Sequence, residues 1–235
     1  VLGVARELVR AGFDVPPRNL LLYSTVPVGS GLSSSAAIEV STALALLEGR
    51  PMEPLELAKL CRRAENQFVG MPCGIMDQFI SVFGRDHAAV KIDCRSLEHE
   101  VVPLPEGAEF VAVNTMVKHE LGSSAYRERV AECAAAVEAL ARRLPHVSSL
   151  RDVSTQALAG FEGAMPPVVF RRARHVTGEN ERVQAFVAAS RSGDLERMGR
   201  LLVESHNSLR HDYQVSCEEL DFLVDTAVRL EGVYG

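Results

Sequence analysis

The chain has 235 residues, 47% of them hydrophobic and 24% charged, with a net charge of −6. That supplies apolar material for one large domain or two modest ones. The acidic balance excludes nucleic acid as the main partner, since phosphate backbones call for a basic face. No apolar run approaches the roughly 20 residues of a membrane helix, so no membrane partner is expected.

No secretory leader is legible. The chain opens on VLGVARELV, which already has the periodicity of a helix interior, and stops at GVYG directly after another periodic segment. An internal piece of a longer protein is expected. The five cysteines (Cys61, Cys73, Cys94, Cys133 and Cys217) are odd in number and form no CxxC pair. They read as free thiols of a reducing compartment, and a cytoplasmic location is expected.

In chain order, LLLYSTV (20–26) predicts a buried strand that runs into PVGSGLSSSAAI (27–38). Small and apolar residues from Ser33 or Ser34 to Glu48 predict a helix stopped by Gly49, Arg50 and Pro51. Residues 53–69 predict a second helix with Ala58, Cys61, Ala64 and Phe68 on its apolar stripe, ended by Gly70 and Pro72. GIMDQFISVFG (74–84) predicts a third. HAAVKID (87–93) and EFVAVN (109–114) predict strands. Beyond Asn114 the pattern turns helical. Tyr126, Val130, Cys133, Val137, Leu140 and Leu144 mark one helix face. A long Arg-rich helix is predicted over 167–191, then a turn at Ser192-Gly193-Asp194. A further helix carries Leu195, Met198, Leu201, Leu202 and Leu209. Ser216 and Glu219 have the spacing of a capping box before Leu220. The change in composition near 112–118 divides the chain into a 1–112 domain and a 113–235 domain.

Three stretches carry chemistry. In the first, Gly29 and Gly31 let the backbone approach a ligand, and the helix that follows offers free N–H groups and the positive end of its dipole. Ser30, Ser33, Ser34 and Ser35 add hydroxyls around Leu32. No Lys follows as in the GxxxxGK[ST] loop. By itself the stretch reads as an anion site or as a tight helix start packed with small side chains. The second is VGMPCGIMDQFISVFG (69–84), where Asp77 lies in an apolar helix. A carboxylate there is hydrogen-bonded to nearby backbone, or it is at work on a substrate hydroxyl. The third is Glu65, either a solvated helix residue or a magnesium ligand beside bound phosphates. The seven histidines form no HExxH motif or ligand cluster and read as surface or packing residues. The Arg run at 171–174 reads as a phosphate-facing patch or, by preference, as a solvated helix face.

PVGSGLSSSAA together with CGIMDQFIS resembles the galactokinases of the GHMP kinase superfamily. The resemblance continues through IDCRSL (92–97), VKHELGSSAYRERV (117–130), RRARHV (171–176) and SHNSLRHDYQVSCEELD (205–221), so it covers nearly the whole chain. It implies a two-domain α+β fold with the active site in the cleft between the domains. It also implies transfer of a phosphoryl group from ATP to the C1 hydroxyl of galactose, with Mg2+. It places the ATP phosphates at Gly29, Ser30, Gly31, Leu32, Ser33, Ser34 and Ser35, with Lys118 near them. It assigns the metal to Ser35 and Glu65, catalysis to Asp77, and sugar contacts to Gly74, Asp77 and Tyr126. The family's RVNLIGEHTDY-like sugar signature and GGGFGG-like motif are not in this sequence. His211 stands where the family usually has Asp. A kinase for N-acetylgalactosamine, or a non-catalytic sensor of galactose and ATP, would share these motifs. The missing sugar signature implies that the 235-residue segment alone is inactive.

Overall fold

The computed structural model describes residues 1–71, 73–116 and 123–235. It divides into two compact units, Val1–Pro103 and Leu104–Gly235.

The first unit is built on four helices: α1 (Leu2–Arg10), α2 (Ser34–Leu47), α3 (Pro54–Arg63) and α4 (Met76–Phe83). Pro54 starts α3, where its missing N–H costs nothing. Leu57, Leu60, Cys61 and Ala64 then recur on one face and meet Val4 and Leu8 of α1 and Val40, Ala43 and Leu47 of α2 in one core. Glu7 of α1 is buried in this region with its carboxylate on Arg10 at 2.8 Å and Arg63 at 3.4 Å. The expected helix over 53–69 changes character part-way, because Ala64–Val69 is wound as a π-helix. This turns Phe68 outward under the Arg6 guanidinium, 4.7 Å from its ring centroid, instead of continuing the stripe.

Ile75, the N-cap of α4, and Phe79 within it pack with Ala58 and cover a hairpin of β1 (Ala88–Ile92) and β2 (His99–Pro103). The strands are antiparallel, with Val90 opposite Val101. The strands expected at 20–26 and 109–114 are not formed. A strand requires a hydrogen-bonding neighbour, and the ladder among the described residues is β1–β2 alone. Leu21 is 97% exposed, Tyr23 89% and Val111 80%.

The second unit carries α5 (Ser123–Ala141), α6 (Thr155–Ala159), α7 (Pro167–Ser192), α8 (Leu195–Ser208) and α9 (Glu218–Ala227). Ala136 and Leu140 of α5 join Leu150, Leu158, Phe161, Phe170 and Ala173 in its core. The expected α5 face is buried only in its later turns, since Tyr126 and Val130 are exposed. Gly193, in the left-handed conformation at φ 70°, ends α7 where the turn was expected. Asp194 then caps α8 by accepting from the Arg197 N–H at 2.8 Å. The start of α9 lies one residue later than the capping-box spacing at Ser216 implies. Cys217 is the N-cap of α9, and the Ser216 hydroxyl donates to Asp221 Oδ1 at 2.7 Å.

Candidate active site

The Gly/Ser loop leads into α2 through three left-handed residues: Gly29 (φ 72°), Gly31 (φ 78°) and Ser33 (φ 52°). The Ser30 hydroxyl donates to the Pro27 carbonyl at 2.9 Å and tightens the turn. Ser33 sits at the N-cap of α2 but places no side-chain oxygen on the helix amides, and no acidic residue occupies the first turn. The amides at the start of α2 are therefore left to an external acceptor, with the dipole favouring an anion. Leu32 and Ser35 are exposed beside them.

One turn further on, Glu39 is buried. Residues four apart share a helix face, so Glu39 lies beneath Ser35. The Gln78 amide nitrogen donates to Glu39 Oε2 at 3.1 Å and to Glu65 Oε2 at 2.6 Å. Glu65 Oε2 also accepts from the Cys73 thiol at 3.3 Å. Asn66 clamps Cys73 from the other side, accepting its N–H at 2.8 Å and donating to its carbonyl at 3.3 Å. Burial, and secondarily Glu65, pushes the Cys73 thiol up to about 11. Burial likewise raises Glu39 to about 7, against the hydrogen bond from Gln78 and with the Glu65 charge adding to the rise. The π-helical winding of Ala64–Val69 places Glu65 at this junction, a distortion often found at functional sites.

Asp77 precedes Gln78 in the first turn of α4 and is half-buried. Its backbone carbonyl accepts from the Ser81 hydroxyl at 2.9 Å, while its carboxylate meets no partner among the described residues. The reading of Asp77 as a residue bonded to nearby backbone is thus not supported. Gly74 is exposed, and a Cβ there would meet no atom within 4 Å. Packing within the chain does not demand glycine at 74.

Tyr126, 53% exposed, belongs to the second unit, near the start of α5. Lys118 lies outside the described residues. Among those described, no group of three or more His, Cys, Asp or Glu side chains could hold a metal unaided. A cation that takes most of its ligands from phosphate and water requires none. The chemistry of Ser35 and Glu65, one hydroxyl and one carboxylate, fits such an ion, and Glu65 Oε1 has no partner among the described residues.

The second unit corrects one expectation. The 171–174 Arg run is not a solvated face throughout, because Arg172 is only 2% exposed. It donates to Glu132 Oε2 at 2.7 Å and Gln214 Oε1 at 2.9 Å, and also to the Asp212 carbonyl. His175 is a packing residue, as expected. It is stacked on Tyr213 at 4.5 Å and shares a 2.9 Å hydrogen bond with Ser208. A cavity of about 780 Å³ lies beside α7 and α8 and is lined by Arg174, Arg182, Arg197 and His211. Its three guanidinium groups are paired with Asp212, Glu179 and Glu204, so it offers no free cationic site. Glu39, Gln78 and Arg172 were missed in the sequence. Glu39, an acid in a helix of small and apolar residues, was the one visible signal.

Residues 1–85 match the family described as the GHMP kinases N terminal domain. The chain as a whole is similar to proteins described as galactokinases. It is 46% identical over 237 aligned residues to a galactokinase of Roseiflexus sp. (strain RS-1), covering all of this chain and 61% of that protein. It is 45% identical to a galactokinase of Thermotoga neapolitana, covering all of this chain and 65% of that one. The crystal structure of Lactococcus lactis galactokinase complexed with galactose superposes with a TM-score of 0.89 at 34% identity, over 99% of this chain and 61% of that chain. The fold is therefore the α+β GHMP kinase fold. The chain spans 61–65% of the length of these relatives.

Proposed function

We propose that the protein to which this chain belongs is a galactokinase, transferring the γ-phosphoryl group of ATP to the C1 hydroxyl of galactose. The observation that carries the reading is Asp77, a half-buried carboxylate in the first turn of α4 without a protein partner among the described residues, in a chain similar end to end to galactokinases. Buried or half-buried carboxylates are normally paired, and one left free is suited to a substrate hydroxyl.

In this reading Asp77 orients the C1 hydroxyl and accepts its proton. The hydroxyl oxygen bonds to the γ-phosphorus, the bridging P–O bond to the β-phosphate breaks, and ADP departs. The amides of Gly29, Ser30, Gly31, Leu32, Ser33, Ser34 and Ser35, with the α2 dipole, meet the charge of the phosphates. Ser35 and Glu65 would hold Mg2+, which when bound would neutralise phosphate charge. Lys118 adds charge at the phosphates, and Gly74 and Tyr126 contact the sugar. We infer that the domains divide near residue 112, the first carrying the ATP loop and the second rich in helix. Cytoplasmic action is supported by five free cysteines, and no described helix is long and apolar enough to cross a membrane.

The test is ADP release by the full-length protein with galactose, with N-acetylgalactosamine and with no sugar. Galactose-dependent release is expected. Release with only the N-acetyl sugar would change the substrate. Silence with both sugars, while galactose and ATP still bind, would favour a sensor.

A further inference from the structure

Glu65 does not stand alone. A carboxylate that binds a cation must present one oxygen in a fixed direction, and a free side chain with three rotatable bonds does not do so. Here Oε2 is held from two sides, by the Gln78 amide at 2.6 Å and the Cys73 thiol at 3.3 Å, while Oε1 has no partner among the described residues. Gln78 is itself fully buried and spends its second N–H on Glu39 at 3.1 Å. Its own Oε1 is buried with no hydrogen-bond partner among the described residues. An amide that leaves its acceptor unsatisfied in order to aim both donors at two carboxylates is oriented by those carboxylates, at the cost of a buried polar atom.

We propose that Gln78 is a positioning residue for the metal ligand Glu65: anchored on buried Glu39, its amide turns Glu65 Oε2 inward and leaves Oε1 for the cation that accompanies ATP. The proposal rests on the reading of Glu65 as a magnesium ligand. Glu39 acts as the anchor and touches neither substrate nor metal. Because Gln78 follows Asp77 in α4, the same amide ties the metal carboxylate to the helix that bears the catalytic one. Groups that orient a metal ligand typically change metal affinity by 10- to 100-fold when removed.

The experiment uses the full-length protein, Mn2+ as the probe ion and a non-hydrolysable ATP analogue. Calorimetry gives the nucleotide Kd with Mn2+ and with EDTA, and their ratio isolates the metal-dependent share of binding. Gln78→Met keeps the volume and removes both donors, and it is expected to reduce that ratio about tenfold. The metal-free nucleotide Kd and the galactose Kd should be unchanged. Glu39→Leu should act like Gln78→Met, whereas Glu39→Gln should preserve the ratio because an amide oxygen still accepts from Gln78. This pair keeps the test open if Gln78→Met does not fold. An unchanged ratio in folded Gln78→Met or Glu39→Leu overturns the proposal. So does an equal loss of metal, nucleotide and galactose binding, which would make the network mere scaffold. Glu65→Gln separates the two levels. If it leaves the ratio intact, the metal reading fails and the proposal with it. If it lowers the ratio while Gln78→Met does not, only the positioning role fails.

Discussion

Buried Arg172 of α7 and half-buried Glu132 of α5 form an ion pair at 2.7 Å, and the same guanidinium holds the Asp212 carbonyl and the Gln214 side chain. One side chain thus fastens the π-helical segment Leu209–Tyr213 and the left-handed Gln214 to two helices. Burial pushes the Glu132 carboxyl up, but Arg172 and Arg129 outweigh it and hold it below the usual range. Removing Arg172 leaves Glu132 with Arg129 alone and takes a charged donor from the Asp212 carbonyl, and the loss of hydrogen bonds to a charged group typically costs about 1.5–3 kcal/mol. Arg172→Met is expected to lower stability by that order, read as a shift in the urea midpoint. Arg172→Lys should recover little, because an ammonium cannot serve three acceptors in a planar fork. A midpoint unchanged in Arg172→Met would show that the network is not a stabilising element.

His175 gives the second unit a pH dependence of known sign. Burial lowers its pKa below 6.5, with Glu179 and Asp212 opposing the shift and Arg182 and Arg172 adding to it. The folded unit therefore holds the neutral ring, stacked on Tyr213. An unfolded histidine binds a proton more readily, so the stabilisation is full above pH 6.5 and is lost as pH falls below it. Thermal melts from pH 8 to pH 5 should show a decline in Tm that is reduced in His175→Gln. Equal slopes for the two proteins would remove His175 as the cause.

The helices were legible in the sequence because their signals are local: Pro54 opens α3, Gly193 closes α7, and apolar residues recur every three or four positions between such marks. The segments 20–26 and 109–114 have strand composition, yet pairing is a non-local property that composition cannot supply. The loop and Asp77 stood out as motifs, whereas Gln78 did not. Its role depends on two carboxylates, at 39 and 65, being folded onto one amide. Arg172 was hidden for a similar reason, since an Arg run signals a wet surface until an acid distant in sequence, here Glu132, is brought to it.

Gly31 tests the loop independently of the chemistry. Its φ of 78° lies in the left-handed region, and a Cβ there would meet no atom within 4 Å. Gly31→Ala therefore introduces torsional strain without a steric clash, about 1–2 kcal/mol. Under the proposed function, the full-length protein's KM for ATP is expected to rise roughly five- to thirtyfold by that strain, with the KM for galactose nearly constant. Equal rises in both would mean that the loop supports the whole site and not the nucleotide in particular.

Under the galactokinase function proposed above, Asp77→Asn separates catalysis from stability more cleanly than most active-site changes. The side chains are nearly isosteric, and the carboxylate has no partner to lose among the described residues. Stability should stay within about 0.5 kcal/mol of the parent, as for substitutions that break no buried interaction. Binding of ATP and galactose should remain within a few-fold. An amide, however, cannot accept the proton from the C1 hydroxyl, and loss of a general base typically costs on the order of 10²–10⁴ in kcat. Steady-state kinetics beside a thermal melt gives both quantities from one preparation. A fall in kcat at constant Tm fits a carboxylate kept for the substrate. A fall in Tm at constant kcat would identify Asp77 as a structural cap of α4 and return the search for the catalytic group to the rest of the protein.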